Sequence, residues 1–322
     1  MLKNIKILSV LLASIFLFSC SKGTTDDDLP QEKTIFETIS TSMGYSYLSY
    51  ALQKTELDVV LSGAGPYTLF APDNDAIILF LMENGYSSVE EVPTDLLRQL
   101  LLNHVMAGQK EYRNFVTGYF QTQANSAVND LPLSLYINQV SMRVRLNGTA
   151  RIVQGNVRAT NGIIHAVDNI IPIPTMVTFV VSDPALYNLA LALTRSDLTV
   201  DYIEILSAEN GNAHAPFTVF APTNQAFVNV LSELELSYLI DIDEPTLKAT
   251  LDHHVLVDSS VLSADLTDNL TLSTLGGELT ANVSDDGASL TDGNARTANI
   301  TLPDIQANNG VMHFIDKVIL PY

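Results

Sequence analysis

The stretch FTVFAPTNQAF at residues 217–227 organises the chain, because it occurs a second time as YTLFAPDNDAI at residues 67–77. Each stretch begins with a short apolar run rich in β-forming residues, which predicts a buried strand. Ala-Pro ends the strand, and an oxygen-bearing side chain then follows as the N-cap of a helix. The pattern therefore predicts a unit of strand, tight turn and helix that is present in two copies.

Two further blocks repeat in the same order. LLNHV at 101–105 matches LDHHV at 251–255, and NGIIHAVD at 161–168 matches NGVMHFID at 309–316. A period of this length is too long for a solenoid unit and is close to the length of one domain. The chain is therefore expected to hold two copies of one domain, at residues 34–174 and 177–322.

Local patterns predict further elements. Helices are expected over residues 34–42, after a cap at Thr94, and from Asp183-Pro184 onward, while residues 176–181 read as a β-branched crossover. In the second half of the first copy, apolar residues alternate from Leu133 through Met142 to Ile152, with Asn147-Gly148 as a turn, which indicates antiparallel strands. The predicted fold class is α+β, with two tandem domains of mostly antiparallel strands and several helices.

The first 19 residues have the features of a lipoprotein signal peptide. Lys3 and Lys6 precede an apolar run that ends in Leu-Phe-Ser-Cys at Cys20, the only cysteine of the chain. We expect Cys20 to be lipidated and to anchor the chain to a membrane; the alternative is an ordinary secretory signal with an incidental cysteine. Residues 20–33 are polar and read as a flexible tether. Its acidic cluster at 26–28 resembles a surface-export signal and equally fits a solvated linker.

Net charge excludes one class of function. The chain carries 36 acidic and 16 basic residues, for a net charge of −20. Nucleic-acid binding needs basic patches that neutralise phosphates. No nucleic-acid partner is therefore expected.

The three repeated blocks together resemble the fasciclin (FAS1) domain, and the two copies cover nearly all of the chain after residue 33. The resemblance implies a β-sandwich-like wedge packed with helices in each copy. It also implies extracellular adhesion or binding of proteins or glycans, without enzyme activity. Some animal members use a Tyr-His pair to bind integrin. The aligned pairs here, Asn103-His104 and His253-His254, lack the Tyr, so integrin binding is not implied and these four residues are only a possible binding region.

Few residues suggest chemistry. His104, His165 and Asp168, with their counterparts His254, His313 and Asp316, are conceivable metal ligands, but their spacing carries no ligand signature and buried structural roles are favoured. Asp73-Asn74-Asp75 resembles part of a calcium loop, yet its partner Thr223-Asn224-Gln225 lacks carboxylates, so a helix cap explains both. No catalytic motif is recognisable, and neither cofactor nor metal is expected. The residues expected to define the repeat structurally are Pro72, Asp73, Asn74, His165, Asp168, Pro222, Thr223, Asn224, His313 and Asp316.

Three functional hypotheses follow. The first is a lipid-anchored binding or adhesion protein of a bacterial envelope, an outer-membrane lipoprotein exposed at the cell surface that recognises protein or glycan. The second is an accessory subunit of an outer-membrane or polysaccharide-handling assembly. The third is a hydrolase that uses the repeated His and Asp residues, and it requires His104 or His254 to lie in an open cleft.

Overall fold

The computed structural model describes residues 32–212 and 214–321. From Lys33 onward the chain packs as one compact unit. The signal peptide and Cys20 lie outside the described residues, as does most of the tether, so these expectations stay predictions.

The first copy contains five α-helices and seven strands within the described residues. Its helices are α1 (Ile35–Ser40), α2 (Ser46–Lys54), α3 (Leu57–Ser62), α4 (Asn74–Glu83) and α5 (Thr94–Leu102). Its strands are β1 (Tyr67–Pro72), β2 (Val105–Ala107), β3 (Gly118–Asn125), β4 (Pro132–Val140), β5 (Arg143–Leu146), β6 (Ala150–Ala159) and β7 (Gly162–Val167).

The second copy repeats this order. Its helices are α6 (Met176–Ser182), α7 (Tyr187–Leu193), α8 (Tyr202–Ser207), α9 (Asn224–Glu233) and α10 (Glu244–Asp252). Its strands are β8 (Phe217–Pro222), β9 (Val255–Leu256), β10 (Leu270–Ser273), β11 (Glu278–Ser284), β12 (Gly287–Thr291), β13 (Thr297–Ala307) and β14 (Gly310–Ile315).

Both copies build the same seven-stranded sheet. The order is β2-β1-β7-β6-β5-β4-β3 in the first copy and β9-β8-β14-β13-β12-β11-β10 in the second. β1 with β7 and β8 with β14 are parallel pairs, whereas the other neighbouring strands are antiparallel. In the first copy β2 and β3, at the two edges of the sheet, come into contact, so the sheet curves towards a barrel. The α+β class and the mostly antiparallel strands are confirmed, and the expected wedge is a nearly closed sheet with helices against it.

Alternation along the central strand separates two cores in the first copy. Leu69 packs with the helices and with Ile164, whereas its neighbour Phe70 packs inside the curved sheet with Leu135 and Ile137. Successive strand residues point to opposite faces, so one strand can supply both cores. In the second copy, Val219 likewise packs in one core and its neighbour Phe220 in the other.

The strand, turn and helix unit is held by the predicted caps. Asp73 accepts a hydrogen bond from the Ala76 amide at 2.9 Å, and Thr223 accepts one from the Ala226 amide at 3.4 Å. The next residue ties this turn to the preceding helices: Asn74 accepts from the Tyr47 amide at 3.1 Å and donates to the Met43 carbonyl at 2.9 Å. A helix cap therefore accounts for this block, as expected.

Some local expectations were wrong. Residues 176–181 lie in helix α6, because Met176, Phe179 and Val180 are buried at helical spacing and this burial outweighs the β-branched composition. Met142 is in a two-residue turn with φ of 66°, not in a strand, and its side chain is 67% exposed. Thr94 is the first residue of α5 rather than its side-chain cap. The predicted helical start at Asp183-Pro184 is confirmed, although the segment capped by Asp183 opens with a 3-10 turn at Pro184–Leu186 before α7 begins.

The two copies share a core. Tyr136 of β4 is 1% exposed and belongs to the apolar cluster of the second copy. The ring of Tyr119 lies edge-on to Phe179 at 5.4 Å and to Phe314 at 5.9 Å, and its hydroxyl donates to Asp183 at 2.9 Å. The copies therefore meet through buried aromatic rings rather than through a solvated hinge.

Polar contacts surround this shared core. The Gln306 amide donates to Ser134 Oγ at 2.9 Å, and Ser126 Oγ donates to the Ala307 carbonyl at 3.0 Å. Asn129 adds a bond from Nδ2 to Gln306 Oε1 at 3.0 Å. These bonds join β4 and the loop before it to β13, which fixes the relative position of the two copies.

Among the described residues, no single helix has both the length and the apolar composition to cross a bilayer. Met176–Ser182 and Pro184–Leu193 satisfy these criteria only when taken together, and they are bent by 92° relative to one another.

Candidate functional site

The repeated His-Val histidines follow the last residue of a leucine-rich helix. His104 is 0% exposed and His254 is 3% exposed. Nδ1 of His104 lies 2.7 Å from the Leu100 carbonyl, and Nε2 accepts a hydrogen bond from the Ile171 amide at 2.9 Å. His254 makes the same pair of contacts, with the Thr250 carbonyl at 2.7 Å and the Ile319 amide at 3.0 Å. Each imidazole therefore joins a helix end to the segment that follows the last strand of its own copy.

These contacts specify a neutral ring. An amide N–H can donate only to an unprotonated nitrogen, so Nε2 carries no proton and Nδ1–H donates to the carbonyl. Burial lowers the pKa of both His104 and His254 to about 4, although the hydrogen bond to the carbonyl opposes that shift. Both ring nitrogens are thereby used in holding the fold.

The residues before these histidines are buried as well. Asn103 is 0% exposed and donates through Nδ2 to the Pro172 carbonyl at 2.8 Å, while its Oδ1 accepts from Thr122 at 3.3 Å. His253 is 3% exposed, with Nδ1 lying 2.8 Å from the Ala249 carbonyl. Asn103, His104, His253 and His254 therefore face the interior, and their placement does not support their use as a ligand-contacting region.

The strand histidines fix a bulge. Nδ1 of His165 accepts from the Asn156 amide at 3.3 Å, and its Nε2 lies 2.9 Å from the Lys110 carbonyl. Asn156 has a positive φ of 64° at the irregular register between β6 and β7. His313 makes the same contacts with the Asp304 amide and the Val261 carbonyl, at 3.3 and 2.9 Å. Burial lowers the pKa of His165 and of His313.

The aspartates of the same block hold the neighbouring strand. Asp168 accepts from the Arg151 amide at 2.8 Å and from its guanidinium at 2.7 Å, and Asp316 binds Asn299 in the same way, with both bonds at 2.7 Å. Each carboxylate thus bonds a residue of the neighbouring strand rather than a histidine. In the part of the chain that the structure describes, no group of three metal-ligating side chains comes together.

This geometry removes the basis of the hydrolase hypothesis. That hypothesis required one of the helix-end histidines to lie in an open cleft, and both are buried with their ring nitrogens bonded to backbone. A general base must be able to reach a substrate proton. The repeated His and Asp residues are therefore structural.

A groove between the two copies is the better candidate for binding. One cleft of about 560 Å³ lies between α5 and the loop after β3, and it extends to Asn308 of the second copy. A second cleft of about 370 Å³ reaches Glu209, and Leu96 and Ile173 border both. We call the two clefts together the seam groove. Its walls combine apolar patches with amide and carboxylate groups, chiefly Asp95, Gln99, Asn125, Asn129, Glu83 and Asn84.

The seam groove suits a ligand with many hydroxyl or amide groups. Small-ligand sites are concave and mostly apolar, with a few placed polar groups. Here Leu96 is 40% exposed on the groove wall, so an apolar contact is available beside the amides. Sequence reasoning missed the groove, because its walls come from segments more than a hundred residues apart.

Sequence reasoning also missed the structural role of Asn161. Asn161 opens the repeated NG block, and its Oδ1 accepts from the Ile35 amide at 2.8 Å while Nδ2 donates to the Leu61 and Gly63 carbonyls, both at 2.8 Å. Asn309 repeats this with the Met176 amide and the Leu206 and Ala208 carbonyls. The occurrence of this asparagine in both copies of the block was the sequence signal that could have indicated its structural role.

Comparison with known proteins agrees with this architecture. The fasciclin domain model matches residues 43–174 and 185–321. Human periostin is 30% identical over 265 residues, covering 81% of this chain and 29% of periostin. The pig transforming growth factor-beta-induced protein ig-h3 is 25% identical over 325 residues, covering 96% of this chain and 44% of that protein. The chain thus spans less than half the length of these relatives.

A solved structure is also similar. It is a FAS1 domain pair from the insect cell adhesion molecule Fasciclin I, with 19% sequence identity and a TM-score of 0.48, covering 88% of this chain and 95% of that one. The family model covers most of the described residues, and its two matches coincide with the two sheets. The chain therefore belongs to the fasciclin family and carries two tandem fasciclin domains.

Proposed function

We propose that this chain is a lipid-anchored adhesion or binding protein of a bacterial cell envelope, exposed at the surface, which recognises protein or glycan. Fasciclin domains in relatives such as periostin, ig-h3 and the stabilins serve cell adhesion and extracellular binding. The signal peptide pattern that ends at Cys20 supports export and lipid attachment.

The observation that carries a binding role is the seam groove. The histidines and aspartates that repeat between the copies are used to hold the fold, so they do not support a catalytic role for this repeated set. The groove instead offers amides, carboxylates and an exposed leucine on a surface whose geometry is fixed by the shared core. A preformed surface loses little conformational freedom on binding.

A pair of matched variants tests the role of the groove. Leu96 and Leu79 are each 40% exposed, but only Leu96 borders the groove. Cells that display the full chain should adhere to at least one component of an array of glycans and matrix proteins. Leu96→Lys should reduce this adhesion at least tenfold, roughly the effect of losing one good apolar contact and burying a charge, whereas Leu79→Lys should not. Equal adhesion by both variants would place binding elsewhere.

Anchoring and exposure need separate measurements. Metabolic labelling with radioactive palmitate should label the parent chain, and Cys20→Ala should abolish that label and release the protein from membranes. Ser19→Ala, which keeps Cys20, is the matched control. Protease added to intact cells should digest the anchored chain. Protection until the cells are lysed would contradict surface exposure and would favour an accessory subunit inside the envelope.

A further inference from the structure

We infer that an exposed arginine face on the first fasciclin domain binds an acidic polysaccharide, as a second binding site beyond the seam groove. The face is formed by the outward side chains of Arg143 and Arg145 on β5 and by the surfaces on either side of them. Its position on the outer side of the sheet distinguishes it from the seam groove.

Basic residues are concentrated at this place in a strongly acidic chain. Five of the eight arginines of the sequence lie between positions 113 and 158. Three of these form ion pairs: Arg113 and Arg158 share the carboxylate of Glu111 at 3.1 and 2.7 Å, and Arg151 pairs with Asp168 at 2.6 Å. Arg143 and Arg145 take part in none of the ion pairs formed by the described residues. Two positive charges on exposed residues are therefore left without an acidic partner among the described residues.

The strand presents both charges on one face. Val144 and Leu146 are buried, whereas Arg143 and Arg145 alternate with them and are exposed. Arg145 lies directly opposite Arg151 on β6. Like charges at directly opposed strand positions are destabilising, and the pairing of Arg151 with Asp168 relieves this only for Arg151. Arg145 also donates from Nη1 to the Gly148 carbonyl of the hairpin turn at 3.3 Å, a contact that leaves its charge uncompensated.

The second domain shows that the fold does not need these arginines. Val140 pairs with Arg143 across a two-residue turn, and Ser284 pairs with Gly287 across the equivalent turn. Gly287 and Ser289 therefore occupy the places of Arg143 and Arg145. The turn of the second copy is Asp285-Asp286, so the same hairpin is acidic there.

Two clefts run along the arginines. One, of about 500 Å³, is bordered by Asn138, Ser141 and Ser182, and the other, of about 480 Å³, by the partly exposed Tyr112 and by Arg151. Both arginines border both clefts. Guanidinium groups bind carboxylates through two parallel hydrogen bonds, while the hydroxyl and amide side chains can bond sugar hydroxyls and the tyrosine ring offers an apolar face. An extended chain of acidic sugars meets all three kinds of group.

The overall charge favours a thin polymer over an acidic globular protein. Exposed charges act over a distance of about 10 Å at moderate salt. A slender polysaccharide lying on the hairpin would be attracted mainly by Arg143 and Arg145. A bulky acidic partner would also approach the rest of the chain, whose net charge of −20 would repel it. The face therefore selects for a narrow anionic ligand.

The test uses the full chain in detergent with immobilised polygalacturonate as the acidic polymer and its methyl-esterified form as the neutral match. The parent should bind the acid form and not the ester. Arg143→Gln with Arg145→Gln should weaken binding at least about tenfold, since hydrogen bonds to charged groups are lost. Lys33→Gln with Lys317→Gln removes the same charge elsewhere and should change affinity less than about threefold. Binding by the parent should weaken as salt is raised.

Several outcomes would overturn the inference. They are equal binding of acid and ester by the parent, unchanged binding by the arginine double variant, or displacement of the polymer by poly-glutamate at equal carboxylate concentration. Arg143→Lys with Arg145→Lys, which keeps the charge but not the paired geometry, should bind at an intermediate level. Unchanged circular dichroism melting of each variant would show that folding is retained. If array adhesion by the parent persists while polygalacturonate binding fails, the inference fails and the proposed binding function stands.

Discussion

Acidification should destabilise the protein through His104 and His254. Both imidazoles are neutral and buried, with a pKa of about 4 in the folded chain against an ordinary value of 6.5. Between these two values the unfolded chain binds more protons than the folded chain. The free energy of unfolding therefore falls as pH drops through this window, and it is retained above it.

The size of the effect follows from the two pKa values. For one histidine, the difference between about pH 7.5 and about pH 5 is roughly 2 kcal/mol, and the limit below pH 4 is about 3 kcal/mol. The two histidines together should therefore remove about 4 kcal/mol by about pH 5. His165 and His313, whose pKa values are also lowered by burial, act in the same direction. A loss of this size is a large fraction of the stability of an ordinary domain.

The measurement is urea unfolding across this pH range, followed by far-ultraviolet circular dichroism because the chain has no tryptophan. Carboxylates titrate in the same range, so the parent is compared with His104→Gln, His254→Gln and the double variant. Glutamine offers a donor and an acceptor but no titratable ring. Each single variant should start lower at about pH 7.5, by about 1–3 kcal/mol for imperfectly replaced hydrogen bonds. Each should then lose about 2 kcal/mol less than the parent on acidification.

If the free energy of unfolding fell by the same amount with pH in the parent and in the double variant, this reasoning would be refuted. They would mean that the histidines do not change their protonation on unfolding. Nuclear magnetic resonance titration of the imidazole Cε1 protons gives an independent reading. A folded-state pKa near 6.5 for either residue would contradict the neutral, backbone-bonded ring described above.

Three further changes test the contacts that build the pair. Asn309→Ala should lower the free energy of unfolding by about 3 kcal/mol, because one amide and two carbonyls lose a buried partner; thermal unfolding would show it, and a loss below about 0.5 kcal/mol would argue against the triple contact. Tyr119→Phe removes the hydroxyl bond to Asp183 and should cost about 1–2 kcal/mol in urea unfolding, with Tyr187→Phe, at a residue 60% exposed, as a neutral control. Gly148→Ala should be destabilising by about 1–3 kcal/mol, since φ is 70° and the added carbon would collide with Ser182; Ser182→Gly should recover the part due to the collision, and no recovery would assign the whole effect to backbone conformation.

Features carried by local chemistry could be predicted. The caps at Asp73 and Thr223 depend on a side chain and an amide three residues apart, so the residue types alone imply them. The duplicated order of blocks likewise implied two domains. Burial of the histidines was also expected, since His104 follows a leucine-rich stripe.

Features set by distant partners could not be predicted. The Ile171 amide that bonds His104 lies 67 residues away, so the sequence favoured a buried His104 but could not identify this partner. Residues 176–181 have strand-like composition, and only burial in the second copy makes them helical. The two-residue turn at Met142 preserves the alternation of apolar positions. The sequence pattern therefore gave no sign that the strand ends there. The seam groove is shaped by both copies and leaves no mark within one repeat.

Tyr136 has a consequence for how such chains can evolve. Its ring completes the interior of the second domain although it is encoded in the first. Separating the two copies would expose to water the apolar surface that this ring covers, and exposing apolar surface costs free energy. A recombination event that moved either half alone would therefore deliver a weakened module. The unit that can be duplicated or exchanged between genes without loss is the pair.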